Sequence, residues 1–239
     1  MKPRIIPLMM VAALVTAFVG SWKSGALRRE QQVPSNKQKT WDDPTTLHAR
    51  VKKEKDKGLQ KVTFPAPLIE YPEVDLATAL AETSVVIADV IDKRSRLIDQ
   101  NTIGTFYRLR IVETLAKASS PVCCNPKDEE FPNDLPTLAD GETYMVGIGG
   151  TVMLDDVDVT VEEDFKELSA GRQYLLFITA TPSGKFSLVR LGPKGMFLVK
   201  PNGQLESAVD KSYKLRRDIE QLFNNSLIRL KGSIKQATR

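Results

Sequence analysis

The sequence predicts a mainly β protein, a small antiparallel barrel or sandwich set between an N-terminal apolar helix and a C-terminal helix. Three observations lead there. Residues 105–112 alternate, with Tyr107, Leu109 and Ile111 on one side and Arg108 and Arg110 on the other, the period of two of a half-buried strand. Further short β-branched or aromatic runs follow, each bounded by Gly, Pro or Asp turns. Beyond residue 208 the apolar spacing turns helical, through Val209, Tyr213, Ile219, Leu222, Phe223, Leu227 and Leu230.

At the N-terminus, Lys2 and Arg4 precede an apolar run over 5–20. A charged start followed by an apolar stretch is the pattern of an export signal. Ser24, Gly25 and Ala26, or Val19, Gly20 and Ser21, offer small residues for cleavage. The run is only slightly shorter than the ~20 residues that span a bilayer, so a retained anchor stands beside a cleaved signal. Residues 1–26 are therefore assigned to a signal peptide or membrane anchor. Residues 27–74 are polar and mostly basic, with little to bury, and are expected to form a linker with a helical turn around 48–57.

The β domain is placed at 75–205. Asp75 is expected to cap a short helix, Leu76–Glu82. A β-branched strand over 85–91 ends in a charged turn at 92–96, and the alternating strand follows. The next strand, 143–148, runs into Gly149 and Gly150, and Gly147, Gly149 and Gly150 suit a bulge or a sharp corner. Val152, Met153 and Leu154 face 157–161 across Asp155 and Asp156, a hairpin pattern. Residues 173–181 form a continuous apolar run, fit for a strand buried on both faces. Strands at 186–191 and 196–200 complete the set, with turns at 182–184, 192–195 and 201–203.

The order of these segments, with Phe165, Leu168, Gly171, Tyr174 and Phe177 as its most distinctive part, resembles a loose group of secreted bacterial proteins without assigned function. Those proteins contain a small OB-like β-barrel domain. The resemblance covers 83–205. It implies an OB-like antiparallel barrel and export, and it carries no site residues across. The Asp155–Asp156 pair stands where such proteins have an Asp-Gly turn, which leaves the turn type open. Residues 206–239 are expected to form one basic helix, capped by Ser212 and ended by Gly232.

Charge is distributed unevenly. Residues 1–63 carry 13 Lys or Arg and 5 Asp or Glu, residues 64–210 carry 13 and 23, and residues 211–239 carry 8 and 2. The sequence pI near 9.0 thus describes the ends, while the body is acidic and repels phosphates.

Candidate chemistry is sparse. Cys123 and Cys124 are adjacent, and in an exported protein such thiols tend to oxidise; a strained ring, an intermolecular bridge or two idle thiols all fit. Asp155, Asp156 and Asp158 offer oxygen ligands for Ca²⁺, though Asp158 in an alternating strand points to solvent and the spacing matches no EF-hand. His48 is the single histidine and lies outside the β domain, so a Cys–His or Ser–His nucleophile has no near base. No catalytic, cofactor or metal residues are assigned, and no cofactor is expected.

The leading expectation is an exported, envelope-associated, non-enzymatic β-barrel module acting by contact with a protein or polymer, through loops and above all 116–138. A membrane contact through 5–20 accompanies it. An envelope redox protein or enzyme using Cys123 and Cys124 is the alternative. An OB-type nucleic-acid binder is weaker, resting on Arg108, Arg110, Phe106 and Tyr107; no nucleic acid is expected as a partner.

Overall fold

A computed structural model describes residues 46–65, 70–118, 134–162, 167–181, 183, 185–189, 191–210 and 212–237, all within one compact unit, Thr40–Arg239. The chain is mainly β with one large sheet. The leader at 1–26 lies outside the described residues, as do Cys123 and Cys124. Among the described residues no helix is long and apolar enough to cross a membrane.

Strands β2 (Ser84–Leu97), β3 (Ile103–Ala116), β4 (Glu142–Ile148), β7 (Gln173–Ala180), β8 (Phe186–Leu188), β9 (Met196–Val199) and β10 (Leu205–Ser207) form a seven-stranded sheet in the order β10-β9-β7-β2-β3-β4-β8. β8 pairs in parallel with β4 and antiparallel with β7. The pairing path from β7 through β2, β3, β4 and β8 therefore returns to β7. A smaller sheet, in the order β1-β6-β5, joins β1 (Lys61–Phe64), β5 (Gly150–Leu154) and β6 (Val157–Val161).

Both faces of β7 and of the first half of β2, residues 85–90, are mostly buried, because alternate residues feed two cores. Val85, Ile87, Leu175 and Phe177 pack under helices α2 (Leu76–Glu82), α3 (Lys214–Phe223) and α4 (Leu227–Ala237), which contribute Ala79, Leu215, Ile219, Leu230 and Ile234. Phe177 meets Phe197 edge to face, at 6.2 Å between ring centres. Val86, Ala88, Leu176 and Ile178 face the other way, onto Tyr107, Leu109 and Met145. A third core joins the small sheet to helix α1 (Leu47–Lys55) through Leu47, Val51, Val159 and Ile103.

Several expectations hold. Asp75 caps α2, its carboxylate accepting from the Thr78 N–H at 2.8 Å. The 173–180 run is the doubly buried strand, and Asp155 and Asp156 close the β5–β6 hairpin.

Three expectations are corrected. The charged stretch 92–96 is not a turn: β2 continues to Leu97, paired with β3 as far as Ile103, after a register shift between Val90 and Asp92. Nothing between 91 and 97 is Gly or Pro, so nothing stops the strand. The supposed linker at 27–74 contains folded structure. Thr46 caps α1, Leu47 and Val51 bury one side of it, and β1 pairs in parallel with β6. Leu47 and Val51 of α1 with Val62 and Phe64 of β1 are enough here because the small sheet supplies the surface that buries them. The C-terminal segment is two helices rather than one. Asn224 and Asn225 both adopt left-handed φ, at 53° and 54°, which a continuing helix cannot accommodate. Gly232 sits inside α4, and the start of α3 is satisfied by Glu73, which accepts from the Lys214 N–H at 3.0 Å, rather than by Ser212.

Candidate functional site

The two sheets meet at a corner that the sequence makes with glycine. Gly149 and Gly150, at φ 114° and 121°, turn the chain out of β4 and into β5. Gly150 lies so close to β2 and β3 that an added Cβ would sit 2.4 Å from Ser95 Oγ and 2.3 Å from Thr105 Oγ1. Those two hydroxyls bond to each other at 2.9 Å, and Thr105 donates onward to the Gly149 carbonyl at 2.8 Å. This polar knot fastens the start of β5 to the outer half of β2.

From the knot the strands separate and leave a groove. One cavity of about 790 Å³ is lined by Lys93, Ser95, Gly150, Thr151, Thr160 and Glu162, among others. A second, of about 640 Å³, adjoins it through Ser95 and Thr151 and is lined by 95–97 of β2 and 151–154 of β5. Side chains of successive strand residues point to opposite faces. Consecutive residues of two strands line one cavity because their backbone edges border it.

Both borders are strand edges. β7 pairs with β2 over Ser84–Asp89, and Gly171 and Arg172 just before β7 bond to Val90, so among the described residues β2 is bonded on its β3 side alone from Ile91 onward. β5 is the outer strand of the small sheet. The β5–β6 turn has positive φ at both central residues, 50° at Asp155 and 63° at Asp156, a type I′ turn with a two-residue loop. In such a hairpin Leu154 and Val157 exchange hydrogen bonds, as do Val152 and Val159 two residues on. The N–H and C=O groups of Thr151 and Met153 consequently point away from β6.

The side chains around the groove are hydroxyls, two ion pairs and the carboxylate of Glu162. Thr151 and Thr160 bond across the hairpin at 2.9 Å. Lys93 pairs with Glu167, and Arg96 with Asp134. Met153 projects into solvent, 63% exposed. This set offers hydrogen-bonding groups; among its described residues there is no imidazole or thiol.

The residues singled out in the sequence fall elsewhere. Asp155 faces His48 at 3.8 Å, and Asp156 faces Lys55 at 3.8 Å while Lys55 also donates to the Asp155 carbonyl at 2.6 Å. Asp158 is exposed in β6, opposite Met153. Among the described residues no three His, Cys, Asp or Glu side chains gather as metal ligands. Phe106 and Tyr107 are interior, 1% and 0% exposed, and present no ring for stacking.

Arg108 is held by Glu142, which accepts from its Nε at 2.8 Å and its Nη2 at 2.5 Å, with Arg110 at 3.7 Å. The Ala139 N–H and the Arg108 guanidinium keep the Glu142 carboxyl below its ordinary pKa, and Glu142 in turn raises that of Arg108. This cluster ties β3 to β4 and is satisfied internally. Lys93, Ser95, Thr151 and Glu167, which build the groove, drew no attention in the sequence. The signal available was a run from Ile91 to Leu97 without a breaker, followed later by an uncharged strand, Gly150–Leu154.

No family model matches the chain, and no curated protein is significantly similar to it.

Proposed function

We propose that this chain is exported, stays at the cell envelope, and acts there without catalysis, as an OB-like barrel that contacts another protein or polymer. The observation that carries the reading is the groove between β2 and β5, open to solvent and walled by hydrogen-bonding groups. The closed pairing path β7-β2-β3-β4-β8 supports a five-stranded barrel, a form that leaves its loops and edges for binding. The basic start and apolar run at 2–20 support export. The acidic balance of 64–210 favours a partner other than a nucleic acid.

The test uses the full chain produced in a bacterial host, with a photo-reactive residue at Thr151 in the groove or at Gln221 on α3. The reading expects the protein in the envelope or outside the cell, and crosslinks from Thr151 that Gln221 does not give. Intact protein confined to the cytoplasm, or identical crosslinks from both positions, contradicts it.

A further inference from the structure

We infer that the groove takes one extended peptide segment of a partner protein, which adds as a strand to the free edge of β5. The inference rests on the contact reading above and names what is contacted.

Natural sheets blunt their edges with Lys, Pro, a bulge or very short strands, since an open edge templates pairing with other chains. The other edges here follow that rule. β1, across the small sheet, carries Lys61; β10 is three residues long; the outer half of β2 carries Lys93, Arg94 and Arg96. β5 has none of these devices. Gly150–Leu154 reads GTVML, five residues with no charge, no proline and no register shift against β6. Its outward amides and carbonyls, at Thr151 and Met153, border the groove rather than another strand. Among the described residues no strand lies beyond them.

The shape of the site selects the occupant. The edge has β2 beside it, bordering the same open cavity at 95–97 that 151–154 border. A second folded copy offering its own β5 would bring its own β2 wall into the same space. A single extended segment fits where a folded edge does not. Its backbone would pair with Thr151 and Met153, the mode by which peptide-binding domains extend a sheet.

The two sides of the added strand would meet different chemistry. One side continues the surface of Val152, Leu154 and Leu97, which belongs to the small-sheet core, and the other continues Thr151 and the exposed Met153. The partner segment therefore alternates, apolar inward and polar outward. The pairs Lys93–Glu167 and Arg96–Asp134 cancel most of the wall charge, and Glu162 leaves a single carboxylate in excess.

The experiment selects displayed peptides about seven residues long, a usual strand length, on the full chain, and measures each selected peptide against three proteins: wild type, Met153→Pro and Met153→Ala. Proline at an edge position whose N–H faces outward is compatible with the strand, and circular dichroism and melting confirm that the variant folds. Selected peptides are expected to alternate apolar and polar residues. They should lose at least about fivefold in affinity on Met153→Pro, since one backbone hydrogen bond is removed, and about twofold or less on Met153→Ala.

Binders that retain affinity for Met153→Pro overturn strand addition, while the groove stands as a contact surface if Thr151 crosslinks persist. A selection that yields no binder also overturns the peptide assignment, and the crosslinking result then decides the broader reading separately. If Met153→Pro unfolds, N-methylation of alternate amides in the selected peptide replaces it. Unchanged binding of both N-methyl series is then the overturning result.

Discussion

Gly150→Ala tests the corner that creates the groove. The new methyl would stand 2.3 Å from Thr105 Oγ1, 2.4 Å from Ser95 Oγ and 2.9 Å from Ser95 Cβ. The hydroxyls can rotate away, but the Ser95 Cβ moves only with the β2 backbone. At φ 121° the alanine would also occupy a region nearly closed to L residues, a strain of about 1–3 kcal/mol. Forcing the extra carbon between two strands adds about 1–3 kcal/mol. Displacing the Ser95–Thr105 bond adds about 1 kcal/mol. The expected loss is roughly 3–7 kcal/mol, a large share of the ~5–15 kcal/mol that stabilises a typical domain.

The assay is urea unfolding of the full chain, with the slope compared between variants so that a change in midpoint reads as a change in stability. Gly203→Ala is the internal control. It too has positive φ, 76°, but an added Cβ meets nothing within 4 Å, so it should lose only the conformational part, about 1–2 kcal/mol. Adding Ser95→Gly to Gly150→Ala should restore part of the difference. Equal losses at Gly150 and Gly203, or a loss below about 1 kcal/mol at Gly150, would refute the claim that β5 is fastened to β2 at this point.

Three further outcomes follow from the same geometry. Asp156→Val should cost about 1–2 kcal/mol in thermal unfolding, because a β-branched residue resists the left-handed turn, whereas Asp156→Gly should lie within about 0.5 kcal/mol of wild type. Burial pushes the Tyr213 hydroxyl up to about 12, above its unfolded value near 10, so stability should be full below pH ~10 and fall as pH rises toward 12. Tyr213→Phe, which removes the bond to Ser207, should remove that alkaline loss, read by melting across the range. Glu142, Asp75 and Glu113 all have carboxyls held below their ordinary values, by the Ala139 N–H and Arg108, the Thr78 N–H, and Lys231 respectively. Their contribution is present above the unfolded pKa near 4 and is lost as pH falls through the folded values. Melting temperature should therefore hold from pH 7 to about 5 and drop below about 4. Glu142→Gln should make that drop shallower.

The fold was largely legible where one local rule dominated. Asp75 capped its helix because a cap needs only its own next three residues, and the 173–180 run was buried on both faces because nothing in it could face water. The alternation of Tyr107, Leu109 and Arg108 named the β3 faces directly. Legibility failed where a distant element decided the outcome. Asp92–Arg96 looked like a charged turn, yet β3 extends it as a strand; 48–57 looked like a helical turn within a linker, yet the small sheet buries Leu47 and Val51 and makes α1 part of a core. Asn224 and Asn225 broke the last helix although the apolar spacing ran straight through them. The groove was illegible for the same reason. It exists only because Gly150 meets Ser95 and Thr105, already paired across β2 and β3, from a strand far later in the sequence, and no local pattern encodes that meeting.

Amide hydrogen exchange, read residue by residue by nuclear magnetic resonance on the full chain, addresses the free edge most directly. In the protein alone, the Thr151 and Met153 amides should exchange fast while those of Val152 and Leu154, bonded to β6, stay protected. Adding a selected peptide should protect Thr151 and Met153 and leave the helices unchanged. Thr151 and Met153 amides already protected in the free protein, or unaltered when the peptide is bound, would contradict the account.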